Sequence, residues 1–578
     1  MMRTRILAIG AAALAAVSAS AQFTGPAPLA WRFLQPTTVA PSGSPLVNGD
    51  NVYTSVGGRV FAIDRTSGNL KWRFPQLDPI AGTFRSAPIL VGDVLVLVGD
   101  NKIVYGIDPV TGESKWTSNT PGSPIGQPVV VDNKYFAIAQ SNNSVALLNG
   151  TDGQPVWTAP FKVDGGILGS IGSFGSEVLI FNNQQELLSV NAGAPNKPTW
   201  KRGFQQLPPT ARPVVFGDAI YVYSGPFLVA LNAATGVPRG QVSTGLQPVY
   251  SPAISADGIV VVGADGKTMV YDIARQPITP KPIDLGSGPI TAPIIVGNET
   301  VTTTNALGVT VTQTIPLFVV PTSNGALNLV NPKSGIRWSF IVKPLDLDGP
   351  GTPAAGGGGG RPGGPGGGPG FGGGSPGLGG GGGLGGGQGG LGGGLGGGST
   401  AQTVAPTYIQ ASGAPVLAGT TLIVPAKDGS LLAFDTTLGV DLTAPKVTMQ
   451  FPNSGDQVSG QPPLVLVFKL EDEASGIDMS TLKITIDGQP VETTTEKDGR
   501  IIVRFSTATK NRPLSNGRRK IVVNVKDWLG NEATTNFALT IDNALPPVVL
   551  PGAAKPGTTG GPGGPGGGGG GSGLGGDR

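Results

Sequence analysis

The chain reads as an all-β protein, an eight-bladed β-propeller followed by a β-sandwich, with two glycine-rich tracts lying outside the folded cores. Three observations carry this reading. An Asx-to-Gly turn recurs along the first 440 residues, its first six copies 40 to 44 positions apart, which is the period of a propeller blade. Short β-branched and aromatic runs fill the space between the turns. No stretch sustains a helical period.

The turn is clearest where Val60-Phe61-Ala62-Ile63-Asp64 leads to Gly68 and Trp72, Val104-Tyr105-Gly106-Ile107-Asp108 to Gly112 and Trp116, and Val145-Ala146-Leu147-Leu148-Asn149 to Gly153 and Trp157. Weaker or altered copies sit at Asn191, Asn232, Asp272, Asn331 and Asp435, the last two leading to Gly335 and Gly439. An Asx side chain can accept from the backbone two residues on, and glycine takes the left-handed conformation that ends such a turn. The pair therefore predicts a short link between the third and fourth strands of each blade. The hairpin before it has its own turn signals, among them Gly57-Gly58, Asn142-Asn143 and Asp428-Gly429. A proline followed by apolar residues opens six blades (Pro45, Pro88, Pro128, Pro213, Pro293 and Pro415), as suits the first position of an innermost strand.

Ring closure is also predicted. The copy at Asp435 ends at Gly439 with no Trp strand after it, whereas Pro28-Leu29-Ala30-Trp31-Arg32-Phe33 is a Trp strand with no blade before it. Joining the two completes eight blades and removes the open sheet edge.

Composition excludes several chemistries. The 578 residues include no Cys and no His, so thiolate catalysis, disulfides, iron–sulfur clusters, His-ligated zinc or haem and His-based triads have no donor. A net charge of +3 gives no reason to expect a nucleic-acid partner. Residues 1–21 read as a secretory signal: Arg3 and Arg5, an apolar run from Ile6 to Val17, and Ala19-Ser20-Ala21 before the cleavage point. The mature protein is thus expected to be exported, to the periplasm, the outer-membrane periphery or the cell surface, with no transmembrane segment. The propeller is assigned to residues 22–440 with a glycine-rich insertion at 350–400, the sandwich to 441–545 and a Gly/Pro-rich tail to 546–578. The insertion and the tail are read as disordered, because such runs lose much backbone entropy on ordering and bury little in return.

At these residues the chain resembles the PQQ-like β-propeller repeat family, whose blade signature is A-x-D-x-x-T-G-x-x-x-W. That family contains quinoprotein dehydrogenases and the propeller of the outer-membrane barrel-assembly machinery. The resemblance implies that Trp31, Trp72, Trp116, Trp157, Trp200 and Trp338 dock between adjacent blades. It then leaves no Trp to floor a quinone cofactor, since Trp528 lies beyond the propeller. No catalytic, cofactor-binding or metal-binding residue is assigned. The expected function is non-catalytic binding or scaffolding in the envelope, with envelope or extracellular proteins or polymers as partners. The alternatives are a PQQ-dependent oxidoreductase and a carbohydrate-binding protein.

The last folded region resembles bacterial immunoglobulin-like domains at Thr443-Ala444-Pro445, at Asp472-Glu473-Ala474-Ser475-Gly476-Ile477-Asp478 and at Asp527-Trp528-Leu529-Gly530-Asn531. Glu471, Asp472, Glu473 and Asp478 are read as solvated loop charge in preference to calcium ligands shared with Asp527. Arg518-Arg519-Lys520 is read as a charged strand entry. Arg85 and Arg212, each just before a blade-opening proline, are candidates to line a propeller mouth.

Overall fold

The computed structural model describes residues 22–34, 39–304, 310–343, 408–496, 499–506 and 509–547. The signal segment, the glycine-rich insertion and all but the first two residues of the tail lie outside them. Among the described residues no helix forms, and so none is long and apolar enough to cross a membrane.

Eight four-stranded antiparallel sheets follow one another along the chain. Blade 1 is Leu46–Asn48, Asn51–Val56, Arg59–Asp64 and Leu70–Phe74. Blades 2 to 7 repeat that order, blade 2 beginning at Ile89 and blade 7 ending at Ile341. Blade 8 is Val416–Ala418, Thr421–Pro425 and Leu431–Phe434, and its fourth strand is Leu29–Phe33 from the other end of the chain. Trp31 pairs with Ala433, Arg32 with Leu432 and Phe33 with Leu431. Arg32 holds this register from its side chain. Its guanidinium sits 2.6 Å from the Asp428 carboxylate and donates to the Lys343 carbonyl at 2.9 Å.

Apolar burial follows the same circle. Each blade presents alternate residues to its two neighbours, and buried clusters fill every blade-to-blade contact, from Val60 and Leu97 between blades 1 and 2 to Trp31 and Ile63 between blades 8 and 1. Five of the six blade-opening prolines directly precede an innermost strand. Pro128 differs, lying inside Pro124–Val131 where the pairing is irregular between Ile125 and Val129, a place where its missing N–H disturbs no ladder.

Residues 446–541 form two further sheets. Lys446–Phe451, Leu464–Glu471, Ile501–Phe505 and Thr494–Thr495 make one. The other is built on Ile477–Ile486, Gly517–Asp527 and Glu532–Ile541, with two short strands at its edges. Leu464, Leu466 and Phe468 face Ile521, Val523 and Leu539 across a shared core, which makes this region a sandwich.

Propeller and sandwich belong to one compact unit. Leu29 N–H donates to the Ala474 carbonyl at 2.7 Å, Trp338 Nε1 to the Ser475 carbonyl at 2.9 Å, and Trp528 Nε1 back to the Ser339 carbonyl at 2.9 Å. Lys343, at the end of blade 7, donates to the Leu470 carbonyl at 2.7 Å. Burial there pulls the Lys343 ammonium down to about 8, against the opposing attraction of Glu471.

Two outcomes follow. Phe23, Ala27, Trp31 and Phe33 are all buried, so removing residues 22–34 exposes the edge of blade 8 and forfeits about 5 kcal/mol or more of apolar burial. Calorimetry of the truncated protein should show a large fall in Tm, and an unchanged Tm would contradict closure by this strand. For Lys343, the folded pKa lies below the unfolded one, so between about pH 8 and the ordinary lysine value the unfolded chain binds the extra proton. Stability therefore rises with pH across that window. Wild-type Tm should gain on that of Lys343→Met as pH rises from 7 to 10, and parallel profiles would show that the burial is relieved in solution.

Candidate functional site

The predicted Asx turns are present as local hydrogen-bonded units. Asp64 Oδ1 accepts from Thr66 and Ser67 N–H at 3.0 Å each, and Gly68 N–H closes the turn on the Asp64 carbonyl at 2.9 Å. Asp108 does the same with Val110, Thr111 and Gly112, and Asn149 with Thr151 and Gly153. Hydrogen bonds from Thr66, Lys71 and Ser67 hold the Asp64 carboxyl well below the usual carboxylate range.

These turns receive the tryptophans. A Cβ placed on Gly68 would lie 2.7 Å from the Trp31 ring, one on Gly112 2.6 Å from Trp72, one on Gly153 2.5 Å from Trp116, and one on Gly236 2.5 Å from Trp200. Each indole therefore lies flat on the turn glycine of the next blade. Trp31 and Trp72 also donate Nε1 to the second carbonyl of that turn, Arg65 and Pro109, at 2.9 and 3.2 Å. Trp157 reaches the Ala192 carbonyl at 2.8 Å, where the altered turn at Asn191 has no glycine four residues on. The Nε1 groups of Trp116 and Trp200 are buried without a partner.

The pattern also explains its gaps. The fourth strands of blades 5 and 6, Pro238–Ser243 and Ile283–Asp284, have no Trp. The turn at Asp272 that follows blade 5 carries Gln276 in place of glycine, and Gly335, after Asn331, has open space around it. Trp338 lies between blades 7 and 8, but without a turn glycine beneath it. It packs on Phe434 of blade 8 at 5.2 Å between ring centroids, but its N–H goes to Ser475 of the sandwich, and Gly439 of the Asp435 turn meets Pro28.

At the axis, residues opening all eight blades line one cavity of about 440 Å³. Its rim is stitched from blade to blade. Gln127 exchanges two hydrogen bonds with the Ala87 backbone at 3.2 and 3.1 Å, and Ser251 Oγ accepts from Arg212 N–H at 2.8 Å and donates to the Arg212 carbonyl at 3.1 Å. The lining side chains are hydroxyls such as Ser44, Ser170, Thr291 and Tyr250, the Gln127 amide, apolar groups, and one charged residue, Arg212. Arg212 is exposed to the cavity, yet the surrounding protein removes enough water to lower its pKa. Burial raises that of the Tyr250 hydroxyl. This is a mouth equipped to donate hydrogen bonds to carbonyl or carboxylate groups.

Arg85, the companion candidate from the sequence, does not line the cavity; it lies 3.5 Å from Asp100 and is largely exposed. None of the seven tryptophans lines it either. A larger groove of about 760 Å³ lies between the outer strands of blades 4 and 5, flanked by Arg202 and by Arg239, which is paired with Asp218 at 2.5 Å.

The reading of the acidic loop as solvated charge is corrected for Asp472, which is 8% exposed. Its Oδ1 accepts from the N–H groups of Ala474, Ser475 and Gly476 at 3.1, 2.9 and 2.7 Å, and burial raises its pKa. Glu473 is exposed, Glu471 pairs with Lys469, and Asp478 caps Ser480. Sequence reasoning missed Asp441, which lies with Asp472 and Asp527 in a buried group. Its only sequence signal was its place before Thr443-Ala444-Pro445.

Residues 17–222 match the family model described as outer membrane protein assembly factor BamB, so the blade repeat over that segment is the PQQ-like repeat its pattern resembles. Among solved structures, the crystal structure of BamB from Moraxella catarrhalis is similar at 12% identity and a TM-score of 0.44, over 70% of this chain and 99% of that one. The computationally designed Ika8 protein is similar at 9% identity and the same TM-score, over 72% and 99%. No curated protein matches the sequence.

The Trp–Gly contacts yield a paired test. Gly112→Ala must place a side chain at a φ of +75° and also displace Trp72, at a combined cost of about 2–4 kcal/mol. Gly335→Ala, at a φ of +86° with open space around it, should cost only about 1 kcal/mol. Denaturant melts of the two variants check this, and equal losses would show that the indole contact adds nothing.

Proposed function

We propose that this protein is an exported, non-catalytic binding or scaffolding component of the cell envelope, holding protein or polymer partners on its propeller faces. The observation that carries the reading is the axial mouth, where all eight blades meet at a single cavity and six of them deliver hydroxyls, an amide and one guanidinium to it. Such a surface recognises an extended segment bearing carbonyl or carboxylate groups, with Arg212 as the charged anchor. The matched repeat family, described as an outer-membrane assembly factor, supports a protein partner in the periplasm or at the outer membrane. The sandwich, read as immunoglobulin-like, serves as a second attachment or spacing module.

The test is site-specific photo-crosslinking in an envelope extract, with the reactive group at Tyr250 in the mouth or at the exposed Val110 on a turn of blade 2. Capture should be confined to Tyr250 and fall about tenfold in Arg212→Glu, the loss of one charge-assisted contact worth about 1.4 kcal/mol. Equal capture at both positions would refute binding at the mouth. Calcium-dependent dye reduction on addition of PQQ would replace the reading with the oxidoreductase alternative.

A further inference from the structure

The Asp441, Asp472 and Asp527 carboxylates each offer an oxygen within 4.8 Å of the others, and all three residues are buried. They come from three separate segments: the strand-to-strand link leaving blade 8, the turn before Ile477–Ile486, and the turn after Gly517–Asp527. Among the described residues, none of them enters an ion pair with Lys or Arg. Three buried carboxylates without a counter-charge oppose folding strongly unless something neutralises them.

Their hydrogen bonding leaves room for a ligand. Asp441 Oδ1 accepts from Thr443 N–H and Oγ1 at 2.9 and 2.8 Å, while its Oδ2 is buried and has no partner. Asp472 Oδ1 is filled by its three turn N–H groups. Ser475, whose N–H bonds Asp472 Oδ1, is fully buried, and its hydroxyl has no hydrogen-bond partner. One carboxylate oxygen, Asp441 Oδ2, and the Ser475 hydroxyl are thus buried without a hydrogen-bond partner at the site. Every donor at the site is oxygen, the set that hard cations prefer and that the lack of Cys and His throughout the chain imposes.

The geometry points to a calcium site formed by Asp441, Asp472 and Asp527 with the Ser475 hydroxyl, which fastens the sandwich to the propeller. The location gives the ion its role. The turn Asp472-Glu473-Ala474-Ser475-Gly476 begins with an Asx and ends four residues on with a left-handed glycine, as the blade turns do; its glycine meets Phe340 of blade 7 and its Ser475 carbonyl accepts from Trp338 Nε1. The Asp527 turn places Trp528 on blade 7 through Ser339. Asn531, which donates to Asp527 Oδ2 at 2.7 Å, also donates to the Asp441 carbonyl at 3.2 Å. A cation bound to the three carboxylates therefore fixes together the three segments that make the joint. Calcium suits this better than magnesium, which gives up its waters reluctantly and keeps strict octahedral geometry.

The experiment uses the full chain stripped with chelator and dialysed. Calcium should raise Tm saturably, elemental analysis should find one bound calcium per chain, and terbium should give luminescence sensitised by Trp338 and Trp528. Asp441→Asn and Asp472→Asn should lose the Tm response and the terbium signal. If either variant fails to fold, the stoichiometry and Tm response of the wild-type chain decide alone. A Tm indifferent to calcium, with no bound ion, would overturn the site and leave a shared proton as the neutralising group. An equal response to magnesium at the same concentration would overturn the assignment to calcium.

Discussion

Everything in this molecule depends on covering sheet edges. Eight blades arranged in a ring expose no edge to one another only if the last sheet is complete, and the strand that completes it is Leu29–Phe33. The pairing is antiparallel and short, so backbone hydrogen bonds alone would hold it weakly. Its hold comes from Trp31 lying on Gly68 of blade 1, Phe33 packing on Phe61, and Arg32 bonded to Asp428 and the Lys343 carbonyl. One strand thus pairs with blade 8, packs against blade 1 and bonds to the end of blade 7.

The interlock between blades is a contact between a flat ring and a residue without a side chain. Because the turn glycine must be left-handed for the turn and bare for the indole, one position meets two demands. Where the preceding blade lacks its Trp, the two demands separate. Gly335 keeps the conformation with nothing upon it, and at Asp272 the left-handed residue is Arg275, with Gln276 where the glycine would stand. The sandwich joins the propeller by a related turn at Asp472–Gly476, whose glycine meets Phe340 and whose Ser475 carbonyl accepts from Trp338 Nε1.

The blades were legible in the sequence because their chemistry is local: an Asx and a glycine four apart report on one turn, whatever lies around it. Closure was legible as well, since an unmatched Trp strand and an unmatched Asp435 turn could be joined by simple completion. What could not be read was anything built from distant partners. Trp338 carries the blade signature, but its carbonyl acceptor lies 137 residues on, in another sheet system. Asp472 looked like one more loop carboxylate until folding buried it beside Asp441 and Asp527. Arg85 and Arg212 both come shortly before a blade-opening proline, but Arg212 directly precedes Pro213 and lines the axis, whereas Ala87 holds that place before Pro88 and Arg85, two residues earlier, turns to Asp100.

Closure by the N-terminal strand also sets the order of events during biosynthesis. Leu29–Phe33 emerges first, but its pairing partner Leu431–Phe434 follows some 400 residues later. At ribosomal rates of about 5–20 residues per second the first strand waits tens of seconds with its ladder groups unpaired. Blades 1 to 7 are local meanders, whereas the closing strand pair spans a sequence separation approaching the full length of the propeller. A nascent chain that stops anywhere before residue 431 is left with an unpaired strand at its start and an open sheet face at its end, the two surfaces most prone to join a second copy.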